Sequence, residues 1–318
     1  MTASSYPAGA ALGSALRPAV RRLAIDALAR GAGSTLPTNA EYLREHQVGA
    51  GTLQRALKVL EDCGALRTTS HGHQGRRIDS TDVGPAWLAG ALPPVRLLIP
   101  PSGPDEIDAL EDLLAQELTA LGIPHTVHHL RGGGRRLDSV RAGLHDIALT
   151  SSGVRDQAEA DGRLGPSALV RRLPAGTYYG AGRLAVVSRT GTTSTIPRRV
   201  AIDRESPDHV ALTRAEFPES DELTHVEIPF TRVPAAVLRG DVDAGIWHIQ
   251  VSVIPLDLVG LVTRPLRLPS AHEAWERISA AVLFGWSGRP ELAGVIRALR
   301  LEDVGTAQAR AIASRQDG

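Results

Sequence analysis

Residues 38–78 read "TNAEYLREHQVGAGTLQRALKVLEDCGALRTTSHGHQGRRI". Thr38 with Glu41 three residues on has the spacing of a capping box, so a helix starts there, with Ala40 and Leu43 facing inward. Gly49 and Gly51 frame a turn, and Thr52 is placed to cap a further helix running to Asp62. In that helix Leu53, Ala56, Leu57 and Leu60 form one apolar stripe and leave Thr52, Gln54, Arg55 and Lys58 on the other side. The stretch between Leu66 and Ile78 reads as two short strands around a turn at Gly72. Upstream, Val20, Leu23, Ala24, Ala27 and Leu28 recur at helical spacing until Gly31 and Gly33 end the helix. Helix, helix, turn, helix, hairpin is the order of a winged helix-turn-helix.

Working outward, the 318 residues exceed one ordinary domain. Residues 1–16 read as a flexible arm, because no basic region precedes their apolar stretch. Residues 17–80 form the α+β head. Residues 81–94, rich in Pro and Gly, read as a linker. Residues 95–318 alternate strand and helix patterns, which predicts an α/β body. Residues 1–80 hold ten Lys/Arg and six Asp/Glu, so the head is +4 and the rest −4 in a chain of zero net charge. A locally basic head suits a nucleic-acid partner. The lone Cys63 cannot form an internal disulfide, which fits a reducing cytoplasm. No apolar run reaches the ~20 residues of a membrane span.

An internal repeat divides the body. "VRAGLHD" (140–146) and "VLRGDVD" (237–243) share V-x-x-G-x-x-D, each a helix ending at Gly and an Asp leading into a buried strand. This predicts two related lobes joined near "YYGAGRLAVVSR" (178–189), with the chain crossing back after residue 253.

The head resembles the GntR type of bacterial winged-helix regulators, whose signature is G-x-G-T-[VL]-Q-R-A-L-x-x-L-E-x-x-G-A-[LV]. Here it is met by Gly49, Gly51, Thr52, Leu53, Gln54, Arg55, Ala56, Leu57, Leu60, Glu61, Gly64, Ala65 and Leu66. "RTTSHGHQGRRI" is similar to the wing of the YhfZ-like group, with His71 where that group usually carries Arg. "HHLRGGGRRLDSVRAGLHDIALTS" also resembles that group's C-terminal domain, which is similar to type 2 periplasmic-binding proteins. The resemblance implies operator DNA and a small-molecule effector as partners, and no cofactor.

In a winged helix, the N-terminal part of the third helix enters the major groove. Gln54 then suits adenine and Arg55 suits guanine, with Thr52 beside them and Lys58 set for phosphate. His71, Gly72, His73, Arg76 and Arg77 lie at or near the wing tip, and Thr38 offers a helix N-terminus to phosphate. Two half-sites ~34 Å apart call for a homodimer, assembled through the body.

Ligands of open α/β sheets bind beyond the carboxyl ends of strands, near helix N-termini. Such places here are Ser102 and Gly103, Thr150, Ser151 and Ser152, Asp203 and Ser206, and Trp247 and His248. Tyr178 and Tyr179 at the crossover are placed to wall the cleft. Small hydroxyls at helix starts suit a polar or anionic metabolite, though the same serines also serve as plain N-caps, and Trp247 equally suits core packing.

Four other signals are set aside. "HTVHH" (125–129) splits its imidazoles between two strand faces, so no metal site is expected. "RGGGRR" lacks the GK[ST] of a P-loop. "GWSGR" lacks the frame of a nucleophile elbow. "DVDAG" lacks the later ligands of a calcium loop. No convergent acid–base pair stands out and no catalytic residue is assigned. An enzyme on the same scaffold, and a ligandless dimerisation body with a cleft filled by side chains, stay open as alternatives.

Overall fold

The computed structural model describes residues 15–71, 75–165, 168–191, 197–249 and 256–316. The predicted arm (1–16) lies outside them up to residue 14, and so do Gly72 and His73. In the head, α1 (Leu16–Arg30) buries Ala19, Val20, Leu23, Ala24, Ala27 and Leu28 and stops at Gly31, whose φ of 77° suits glycine. α2 (Asn39–His46) starts with the reciprocal capping box, Thr38 N–H donating to Glu41 Oε2 at 2.6 Å and Glu41 N–H to Thr38 Oγ1 at 3.3 Å. Its inward residue is Tyr42, 1% exposed, whereas Ala40 and Leu43 face solvent. This corrects the expectation for the pair: an eight-residue helix has one narrow buried face, and the larger aromatic occupies it.

α3 (Ala50–Asp62) buries Leu53, Ala56, Leu57 and Leu60. Its N-cap is Gly49, whose carbonyl accepts the N–H groups of Thr52 and Leu53, so Thr52 is the third helical residue and not the cap. β2 (Leu66–Ser70) and β3 (Arg76–Thr81) make the hairpin, with a register shift between Arg67 and Thr68. A short strand absent from the sequence reading, β1 (Thr35–Leu36), pairs with β3 and makes a three-stranded wing of order β1-β3-β2.

The expected linker is not extended chain. Residues 83–89 form helix α4 (Val83–Ala89), and Trp87 is 1% exposed. Gly84 lets α4 approach a main-chain carbonyl: a Cβ there would lie 2.1 Å from Leu121 O. Arg289 crosses over the segment, donating to the carbonyls of Pro93 and Pro94, pairing with Asp146 and Glu291, and stacking on the Trp87 ring. One apolar core consequently runs from α1 through Trp87 into the first lobe. Apolar burial, at about 25 cal/mol per Å², decides against a solvated linker here.

Lobe I contains β4 (Val95–Ile99), α5 (Asp105–Ala120), β5 (His125–His129), α6 (Gly133–Arg141), β6 (Ile147–Ser151), α7 (Ser152–Ala160) and β7 (Leu169–Arg172). Lobe II contains β8 (Leu184–Arg189), β9 (Arg199–Ile202), α8 (Pro207–Glu216), β10 (Thr224–Glu227), α9 (Val233–Arg239), β11 (Ala244–His248), β12 (Leu261–Pro265) and α10 (Pro269–Ile278). The chain then returns to lobe I as β13 (Ala281–Gly285), α11 (Leu292–Ala298) and α12 (Val304–Gln316). The return falls between Ile278 and Ala281, later than the sequence suggested. The sheets are β5-β4-β6-β13-β7 and β10-β9-β11-β8-β12. Strands β4, β5 and β6 are parallel, as are β9, β10 and β11, while β13, β7, β8 and β12 pair antiparallel.

The sequence repeat has one structural meaning in both lobes. Gly143 and Gly240 take φ of 71° and 80° at the ends of α6 and α9. Arg96 Nη2 donates to Gly143 O at 3.1 Å and to Asp146 Oδ1 at 2.9 Å. Arg199 Nη2 donates to Gly240 O at 3.0 Å and to Asp243 Oδ1 at 3.1 Å. In each lobe an arginine of one strand ties the helix end to the entry of the next strand.

Candidate nucleic-acid interface and interlobe cleft

Burial of the apolar stripe of α3 leaves Gln54, Arg55 and Lys58 exposed on one face. The wing closes against that face. Arg76, from β3, donates to Gln54 Oε1 at 3.4 Å and to Thr68 Oγ1 at 3.2 Å. A groove of about 290 Å³ joins Thr38 and Asn39 at the start of α2, Gln54 of α3, and Ser70 and Arg76 of the wing. Three of the predicted contacts (Thr38, Gln54, Arg76) are thus brought together from three elements. Arg55 donates to Thr52 Oγ1 at 3.4 Å, and Lys58 pairs with Asp62 at 3.0 Å, both at the surface. Such exposed partners are readily exchanged for phosphate or base. Arg77 is exposed, and His71 donates its N–H to Gly75 O at 2.9 Å at the end of the hairpin. Asn39 and Ser70 were missed in the sequence, because nothing in their spacing signals a shared groove.

Between the lobes the predicted residues separate into those at the junction and those spent elsewhere. Tyr178 and Tyr179 lie edge to face with ring centres 4.8 Å apart. Tyr178 Oη accepts from Arg136 Nη2 at 2.7 Å, and Tyr179 Oη donates to Asp208 Oδ2 at 2.9 Å. His248 stacks edgewise on Tyr179 and lies 2.9 Å from Glu106 Oε1, which also accepts the Gly180 N–H at 2.8 Å. Arg183 of lobe II pairs with Asp105 of lobe I at 2.8 Å.

Thr150, Ser151 and Ser152 are buried at the end of β6. Ser151 caps α7 through the Val154 N–H, and the Ser152 hydroxyl donates to Arg277 O across the lobes. Ser206 caps α8 through the His209 N–H.

Asp203 and Trp247 are engaged elsewhere, and Ser102 is exposed in a turn. Asp203 accepts the N–H groups of Glu205 at 3.1 Å and Phe230 at 2.8 Å, so it is consumed in holding its loop. Trp247 points to the opposite face of β11 from His248 and stacks on Phe230 at 5.0 Å. Ser102 is exposed in the turn before α5, where the Gly103 N–H bonds to Asp108 at 3.2 Å. A cavity of about 40 Å³ remains at the junction, lined by Tyr179, Ser206 and Asp208 on its polar side and by Leu184, Leu212, Phe230, Ile246 and Ile278 on its apolar side.

Buried charge sets the electrostatics of the junction. Burial pushes the Asp208 carboxyl up to about 6, and the hydroxyls of Ser151 and Tyr179 with the Arg136 charge offset this only in part. Burial also pushes Glu106 upward, but the His248 bond and charge, with the Gly180 N–H, bring it below the usual carboxylate range. His209 is held down by burial. Its Nδ1 accepts the Asp203 N–H at 2.9 Å and its Nε2 lies 3.2 Å from Ile246 O, the pattern of a neutral imidazole. Sequence reasoning missed Glu106, Arg136 and Asp208. Each reads as an ordinary charge in a helix, and distant segments bury it: Glu106 meets His248, Asp208 meets Tyr179, and Arg136 meets Leu130, Leu149 and Tyr178. Among the described residues no group of three His, Cys, Asp or Glu is gathered to hold a metal ion.

This architecture is a helix-turn-helix head followed by a two-lobed α/β body with mixed sheets. Residues 31–78 match the helix-turn-helix domain family, and residues 82–317 match the YhfZ C-terminal domain. The chain belongs to the YhfZ family. YhfZ of Escherichia coli (strain K12) is 28% identical over 245 residues, 74% of each chain. The crystal structure of YhfZ from Shigella flexneri is 23% identical, covers 70% of this chain and 90% of its own, and superposes with a TM-score of 0.53. The periplasmic aliphatic sulphonate binding protein SsuA of Escherichia coli is 17% identical with a TM-score of 0.47, over 71% of this chain and 76% of its own. The helix-turn-helix head suggests DNA as a partner. Among the described residues no helix is long and apolar enough to cross a membrane.

Proposed function

We propose that this protein is a GntR-type, sequence-specific transcriptional regulator of the cytoplasm, binding operator DNA as a homodimer and sensing a small polar or anionic metabolite between its lobes. The observation that carries the DNA half is the outward face of α3 (Gln54, Arg55, Lys58), joined by one groove to Thr38 and Arg76. In this reading Gln54 and Arg55 read base edges, and Lys58, Arg76 and Arg77 hold phosphates, while Thr38, whose N–H and hydroxyl both donate to Glu41, orders the start of α2 beside them. The metabolite half is supported by the buried charges and hydroxyls gathered where the lobes meet. The shared core of head and lobe I supports a switch in which lobe II moves against a rigid head–lobe I unit. Such a switch works only through unequal affinity of the ligand for two lobe arrangements.

The test is binding to the DNA upstream of the protein's own gene across a salt series. A dimer neutralising 6–10 phosphates loses roughly 10³–10⁵ in affinity between 50 and 200 mM salt. Absence of binding at low salt overturns the reading. A second reading, a ligandless assembly body, is favoured by Tyr178 and Tyr179 filling the junction. Retention of full DNA control after the junction is packed solid with larger apolar side chains would support it.

A further inference from the structure

The lobes are held together by the chain's own side chains, and two of these, Glu106 and Asp208, each keep one buried carboxylate oxygen without a partner among the described residues. Asp208, near the start of α8 in lobe II, is 5% exposed. Its Oδ2 accepts from Tyr179, while its Oδ1 has no hydrogen-bond partner among the described residues. That oxygen rests on the main chain of Gly153 in lobe I, where a Cβ would come within 2.1 Å of it. Asp208 therefore inserts its carboxylate against the first turn of α7, a nine-residue helix capped by Ser151.

The surroundings are mostly donors or positive. They comprise the Tyr179 hydroxyl, the Ser151 hydroxyl, the positive end of α7 and the Arg136 guanidinium. Arg136 is 2% exposed and spends its bonds on Leu149 O, Leu130 O and the Tyr178 hydroxyl, and among the described residues no carboxylate pairs with it directly. Lobe I thus offers a buried cation and a helix N-terminus, and lobe II supplies the anion that faces them. A buried charge without a full set of partners is the easiest kind to displace.

We propose that lobe I carries a seat for a small organic carboxylate at the start of α7, and that the Asp208 side chain occupies this seat when no ligand does. The adjoining cavity of about 40 Å³, with Leu184, Leu212, Phe230, Ile246 and Ile278 as walls, takes the short apolar tail of such a ligand. Entry of the ligand expels Asp208 from Gly153 and so shifts α8 against α7, moving lobe II relative to lobe I. This rests on the metabolite-sensing half of the reading above and is independent of DNA binding.

The experiment titrates the full chain and its Asp208→Ala and Asp208→Asn variants with sodium acetate and sodium butyrate at constant ionic strength and pH 8. The readouts are melting temperature and tryptophan fluorescence. Trp275 donates its indole N–H to Tyr179 O at 3.1 Å and so reports on the junction. Asp208→Ala is expected to bind acetate saturably and at least tenfold more tightly than the unmodified chain. Asp208→Asn, equal in size but uncharged, should fall between them and serves as the test if the alanine variant does not fold.

Adding Arg136→Gln to either variant should abolish the binding. The groups bearing on Asp208 are Arg136 of α6, Asp156 of α7, and Tyr178 and Tyr179 of the crossover. Lowering the pH from 8 to 6 protonates about half of Asp208, the form that the seated arrangement favours, and should weaken acetate binding to the unmodified chain while leaving the alanine variant unmoved. Equal acetate affinity in all three proteins, or none in any, overturns the proposal. So does stabilisation of the unmodified chain by ethylammonium chloride, which would mark the seat as an amine site. Operator binding is scored separately: its loss alone removes the regulator reading and leaves the acetate result standing.

Discussion

His248, the last residue of β11 in lobe II, places Nε2 2.9 Å from Oε1 of Glu106, the second residue of α5 in lobe I, and both side chains are buried. The bond crosses between lobes that are joined covalently only at the two crossovers. Truncating His248 to Ala leaves the buried Glu106 carboxylate with the Gly180 N–H but without its partner from lobe II. A loss of roughly 3–5 kcal/mol is expected, measured by urea denaturation, with Glu106→Gln costing less because the amide stays neutral. An unchanged stability in His248→Ala would mean the lobes are held by other contacts.

The pH dependence of stability carries two opposite signs at this junction. Asp208 is raised from 3.8 to about 6, so its protonated form is the one the fold favours. Its contribution is fully present below about pH 4 and is lost as the pH rises through 6, an effect of about 3 kcal/mol at most. Glu106 is lowered, so its contribution is present above its ordinary value and is lost as the pH falls through the depressed one. The melting temperature of Asp208→Asn, relative to the unmodified chain, should therefore climb between pH 4 and 6 and then level off.

Gly153 is the point where Asp208 meets lobe I. A methyl group there would collide with Asp208 Oδ1 and also with Ile278 Cγ2 at 2.8 Å. Gly153→Ala should push α8 off α7 and open the lobes at a cost of roughly 1–3 kcal/mol. Small-angle scattering should show a larger radius of gyration, and pairing the change with Asp208→Ala should relieve only part of the strain.

Docking of the head depends on Trp87 and Arg289. Trp87→Ala removes the side chain that links the head core to lobe I, with an expected cost of roughly 3–5 kcal/mol. Limited proteolysis should then cut within residues 81–94 faster than in the unmodified chain, where α4 and Arg289 hold the segment. Independent unfolding of head and body in this variant would show that the shared core alone made them one unit.

On the DNA face, Arg55→Ala should cost about 1–3 kcal/mol and relax specificity at one base position. Lys58→Ala should weaken all sequences alike and lower the salt slope by about one. Titration of operator DNA at several salt concentrations separates the two outcomes.

The chain's local order determined its head and the kind of body that follows. The capping box at Thr38, the apolar stripe of α3 and the Gly-Asp repeat act between residues three to seven apart, so they are visible in sequence. Their spacing is enough to yield a winged helix and two similar α/β lobes. Burial between distant segments is not written locally. Residues 81–94 look like a linker until Arg289, some two hundred positions later, closes over Trp87 and the prolines. Glu106 and Asp208 look like ordinary helix-surface charges until the lobes meet and remove their water, and Arg136 does until Leu130, Leu149 and Tyr178 close around it. Tyr178 and Tyr179 were legible as walls of the junction because aromatics are scarce here, but their partners were not. Tertiary contact alone decided which carboxylates are buried, which oxygen stays unsatisfied and where the lobes lock, since desolvation depends on what packs from afar and not on neighbours in the chain.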